Sequence, residues 1–100
     1  MTSMTDIELA RQLRTLRRTV LMLQTELRHG QVDSGLIAEI DQQLDHGLGL
    51  DSRCEGLPAA VDAVRENTMT PRPELLGDTI RACERLKDEI EAIISRLSPA

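Results

Sequence analysis

A chain of 100 residues, 40% apolar and 29% charged, can bury one modest hydrophobic core and has a globular rather than a disordered composition. It contains no Phe, Tyr or Trp, so the core must be made of Leu, Ile, Val, Ala and Met. The aromatic platforms on which single-strand binders stack bases are excluded. The net charge of −5 is uneven: residues 1–30 sum to +2, residues 31–70 to −6 and residues 71–100 to −1.

The opening "MTSMTDIELA" lacks the continuous apolar segment of a secretion signal, and the longest apolar run, "VLML" (Val20 to Leu23), is far too short to span a membrane. With two cysteines, Cys54 and Cys83, in neither a CxxC pair nor a disulfide framework, a reduced, cytoplasmic protein is expected. Leu9, Leu13, Leu16, Val20, Leu23 and Leu27 follow spacings of 4, 3, 4, 3 and 4, a heptad pattern that predicts a long first helix over residues 5–29. Thr5 or Ser3 is positioned to cap it, Asp6 and Glu8 suit the positive end of its dipole, and Gly30 supplies a left-handed stop. Leu21 and Met22 lie outside the heptad stripe. A two-stranded coil would leave them wet, whereas a bundle is expected to bury them.

A second, short helix is predicted over residues 34–46, capped by Asp33 or Ser34. Leu36, Ile37, Ile40 and Leu44 form its apolar stripe, while Glu39, Asp41 and Asp45 are expected to face out. "GLGLDSRCEG" (Gly47 to Gly56) reads as a loop, because its glycines are too closely spaced for a stable element. A third helix over residues 58–67 starts at Pro58 and carries Leu57, Val61 and Val64 on one edge. "ENTMTPRP" (Glu66 to Pro73) is expected to break it, since each proline biases the residue before it away from helix. The fourth helix, over residues 73–97, repeats the first: Leu76, Thr79, Cys83, Leu86, Ile90, Ile93 and Leu97 have spacings of 3, 4, 3, 4, 3 and 4. Leu75, Ile80 and Ile94 widen that stripe, Arg85–Glu89 and Lys87–Glu91 are spaced for ion pairs, and Cys83 falls in a core slot.

No period-two pattern of β-branched residues competes. The expected fold is all-α: a single domain over residues 1–100 forming an antiparallel bundle of about four helices, two long (first and last) and two short. The stripes of the long helices are expected to cover each other, or to be shared with a second copy in a homodimer.

"LRHGQVDS" (Leu27 to Ser34) returns as "LDHGLGLDS" (Leu44 to Ser52), and the two copies hold the only histidines, His29 and His46. The spacing of His29, His46, Cys54 and Cys83 matches no common zinc pattern. Each His-Gly therefore reads as a helix C-terminus, where an imidazole meets unpaired carbonyls, and each Asp-Ser as the cap of the next element. No serine or cysteine nucleophile can be tied to either histidine by local context, no carboxylate pair sits in an evident pocket, and "GLGLDS" neither follows a strand nor opens a helix. Neither catalytic residues, metal ligands nor a cofactor are expected, and the chain reads as a non-enzyme.

The remaining candidates are on the first helix. Arg11, Arg14, Arg17 and Arg18 fall within two turns, and Arg11, Arg14 and Arg18 share the face opposite the leucines. Such a cluster serves as a solvated face, pairs with the chain's own acidic middle, or contacts an acidic partner. The leading expectation is a small protein-interaction module, such as a regulator, adaptor or export-type chaperone. It would use these arginines with Leu21 and Met22 to dock onto another protein or a second copy. The alternative is a nucleic-acid-binding regulator using the basic first helix.

Overall fold

The computed structural model describes residues 5–31, 33–45, 47–69 and 76–97. Among them lie four α-helices, α1 (Asp6–Arg28), α2 (Ser34–Asp45), α3 (Leu57–Met69) and α4 (Leu76–Leu97), and no strand. The heptad residues decide how they pack. Every member of the α1 stripe, from Leu9 to Leu27, is buried, and Cys83, Leu86, Ile90, Ile93 and Leu97 of α4 enter the same core. Leu36, Ile40, Leu57, Val61 and Val64 extend it into α2 and α3. Truncating such a side chain typically costs about 2–5 kcal/mol.

α4 packs mainly against α1 and α3, α2 lies along α1, and α2 and α3 touch only lightly. Polar contacts give the directions. Arg17 meets Glu91 and Gln24 meets Glu84, so α1 and α4 run antiparallel. Arg65 of α3 reaches Asp41 of α2 at 3.5 Å, and Thr79 of α4 donates to the Asn67 carbonyl of α3. The result is an up-down-up-down bundle in which the two heptad stripes cover each other.

The helix ends follow the sequence signals. Thr5 Oγ1 accepts from the Glu8 amide at 3.1 Å, and Asp33 Oδ1 accepts from the Gly35 amide at 2.9 Å, so Thr5 caps α1 and Asp33 caps α2. At the far end of α1 the Gly30 amide bonds the Leu27 carbonyl and the Gln31 amide bonds the Glu26 carbonyl. This two-bond closure requires the left-handed backbone that Gly30 adopts, with φ +77°. Ser3, His46, Leu75 and the prolines expected to delimit the last helix, Pro71 and Pro73, lie outside the described residues, as do residues 73–75 of that helix.

Three sequence expectations need correction. The segment 47–56 is not a featureless loop: it forms two 3₁₀ turns, Leu48–Leu50 and Ser52–Cys54, with Leu48 and Cys54 buried. A 3₁₀ turn closes with a single i→i+3 bond and tolerates the glycines. Asp51 then fixes the second turn by accepting from the Arg53 amide at 2.9 Å and pairing with its guanidinium. Second, Glu66 does not end α3, which continues to Met69. Asn67 and Thr68 return their side chains to the carbonyls of Ala63 and Arg65, so these polar residues are absorbed by the helix. Third, the anticipated i,i+4 pairs on α4 give way to others. Lys87 pairs with Glu84, Glu91 crosses to Arg17, and Arg85 and Glu89 make no ion pair with each other.

Candidate functional site

α1 has two polar shoulders beside its leucine stripe. Thr19 is buried and accepts from Gln43 Nε2 of α2 at 3.1 Å. Gln24 is buried on the other side and donates to Glu84 Oε1 of α4 at 2.5 Å. These residues mark where the two neighbouring helices meet α1. Leu21 and Met22 lie beyond them, and the bundle does not bury them: Leu21 is 38% exposed and Met22 52%. The expectation that a bundle would cover this pair therefore fails, because polar side chains hold the flanking contacts.

Arg11, Arg14 and Arg18 are exposed on the same outward side. Among the described residues none of the three forms an ion pair. Arg17 is separated from them, because its guanidinium is 2.9 Å from Glu91. Its partner belongs to the last helix and not to the acidic middle segment. From Leu9 to Thr25 the α1 sequence contains no Asp or Glu, so the outward row carries one sign of charge.

Two apolar residues escaped the sequence reading. Ile7 is 74% exposed and begins the row that continues through Arg11, Arg14 and Arg18, a register visible in its spacing of 4, 3 and 4. Leu50 is 90% exposed. Nothing in "LGL" signals that Leu48 turns inward and Leu50 outward, since the turn geometry decides it.

A cleft of about 400 Å³ opens between α1, α2 and the first 3₁₀ turn, with Arg11, Gln12, Thr15, Glu39, Gln43 and Leu48 on its walls. Gln43 Nε2 is shared between Thr19 Oγ1 and Glu39 Oε1, and Gln43 Oε1 is buried with no hydrogen-bond donor among the described residues. Among the described residues the walls of the cleft carry one carboxylate, Glu39, and no histidine or thiol.

His29 ends α1. Its amide turns to the Glu26 carbonyl, and its Nδ1 lies 2.9 Å from the Thr25 carbonyl, a bond that places a proton on Nδ1. Burial raises the Cys54 thiol above its ordinary range and pushes Cys83 up to about 11, which leaves both as inert thiols at neutral pH. Among the described residues no three His, Cys, Asp or Glu side chains gather as a metal site would require, and no helix is long and apolar enough to cross a membrane. No known family, characterised protein or solved structure matches the chain.

Proposed function

We propose that this protein is a non-enzymatic helical interaction module of the cytoplasm, a regulator, adaptor or export-type chaperone that docks through the outward face of α1. One observation carries the reading. Arg11, Arg14 and Arg18 stand exposed with no ion pair among the described residues, on a row that runs into the exposed pair Leu21 and Met22. Exposed arginines beside solvent-facing apolar groups are the usual composition of a protein contact, because Arg combines charge with a weakly hydrated planar surface. The unpaired, buried thiols accord with a reducing compartment.

Site-specific photo-crosslinking in cells tests this reading. A crosslinker placed at Arg14 or Met22 on α1 should trap the same protein, and one placed at Asp88 or Ser95 on the exposed face of α4 should trap none. Equal capture from both helices would overturn the assignment of the face.

A further inference from the structure

We infer that the occupant of this face is an acidic amphipathic helix of another protein. The inference rests on the docking reading above and names its partner. The first argument is charge: the guanidinium groups of Arg11, Arg14 and Arg18, with no carboxylate on α1 between Glu8 and Glu26, make a row of one sign. Among the described residues only Arg11 of the three shares a cleft with a carboxylate, Glu39 of α2. The complement of such a row is a row of carboxylates. The second is shape. Arg11, Arg14 and Arg18 are spaced 3 and 4 apart, and Leu21 and Met22 follow after 3 and 4 more. That spacing places the groups in a narrow row along the helix axis, about 16 Å from Arg11 to Met22 at roughly 1.5 Å per residue. A rod laid along it meets the row best when its own groups repeat with the same period, as those of a helix do. The matching helix carries acids at i, i+3 and i+7 over two turns and an apolar pair in the next turn.

Other occupants fit less well. A two-fold pair of copies would set this patch against itself and oppose arginine to arginine. A nucleic-acid backbone has nothing to offer Leu21 and Met22. In a membrane contact the apolar ends, Ile7 on one side and Leu21 with Met22 on the other, would be separated by the arginines and could not form one inserted face.

The test uses the full chain and a synthetic fluorophore-labelled helical peptide with glutamates at i, i+3 and i+7 followed by a leucine pair. A peptide of identical composition in scrambled order is the control. Fluorescence anisotropy should show the matched peptide binding at least about tenfold more tightly than the scrambled one. Arg11→Gln, Arg14→Gln and Arg18→Gln combined, and separately Leu21→Ser with Met22→Ser, should each weaken binding by about tenfold or more without changing helix content. Equal binding of the two peptides, or none at millimolar protein, overturns the acidic-helix assignment.

Duplex DNA, anionic phosphatidylserine vesicles and light-scattering mass are measured on the same variants. If the peptides fail but the substitutions abolish DNA binding, vesicle binding or a dimer, the α1 face remains a docking surface and its occupant is of that other class. If no binder responds to the substitutions, both readings fall together.

Discussion

α1 and α4 share a heptad pattern and pack against each other, yet their outer surfaces differ. On α4, opposite charges answer each other: Arg81 pairs with Asp78, Lys87 with Glu84, and Glu91 with Arg17 across the seam. On α1 the outward arginines Arg11, Arg14 and Arg18 have no such partner among the described residues, and Leu21 and Met22 continue their row. A helix that interleaves carboxylates with its cations, as α4 does, displays no row of one sign. One that displays a single sign beside uncovered apolar carbon has an electrostatic reason to meet something else. The heptads say which faces go inside, and the pairing of charges outside distinguishes the two helices.

The sharpest way to break this comparison is to show that α1's two faces are energetically alike. Leu16→Ala removes a fully buried side chain and should lower the unfolding free energy in urea by about 2–5 kcal/mol. Leu21→Ala on the outward side should cost less than about 0.5 kcal/mol. Comparable losses would mean that Leu21 is packed and that the outward face is not free. Gly30→Ala comes next. Nothing lies within 4 Å of where its Cβ would sit, so the cost is only that of holding alanine at φ +77°, about 1–2 kcal/mol. A neutral result in thermal unfolding would mean that α1 ends otherwise than through this closure.

Much of this architecture was legible in the sequence, because a heptad reports burial directly: all six α1 positions from Leu9 to Leu27 proved to be core. Caps were legible for the same local reason, as Thr5 and Asp33 need only their own helix. What sequence could not supply was anything that depends on a distant partner. Arg17 looks like its neighbours until α4 brings Glu91 to it, and Leu21 and Met22 look like core until Thr19 and Gln24 occupy the shoulders. Asp41, expected to face out, is half-buried against Arg65. Of the residues expected to dock, the fold leaves Arg11, Arg14, Arg18, Leu21 and Met22 exposed, ties Arg17 to Glu91 and sets exposed Ile7 on the same row.

Smaller effects probe the seam between the two long helices. The Gln24 amide, then the Lys87 ammonium, hold the Glu84 carboxyl below its ordinary value of 4.5. A carboxyl held low in the folded state contributes stability above its unfolded value and loses it as pH falls through the folded one. Urea midpoints should therefore decline more between pH 5 and pH 3 in the native chain than in Glu84→Gln. Parallel declines would show that Glu84 does not couple the helices. The group is half exposed and its ion pairs are solvent-screened, so the difference is modest beside a core truncation.

The smallest effect belongs to the histidine that first suggested chemistry. His29 touches its own helix through the Thr25 carbonyl and is otherwise exposed. Its contribution is one solvent-accessible hydrogen bond at a helix terminus. His29→Gln keeps a donor within reach of that carbonyl and should cost only a few tenths of a kcal/mol in urea unfolding. Binding of the acidic helical peptide should hardly change, because the row along which it lies ends at Met22, almost two turns before His29. A loss of stability comparable to Leu16→Ala would show that His29 holds more than a helix end. A loss of binding with stability intact would extend the docking row to the C-terminal turn of α1.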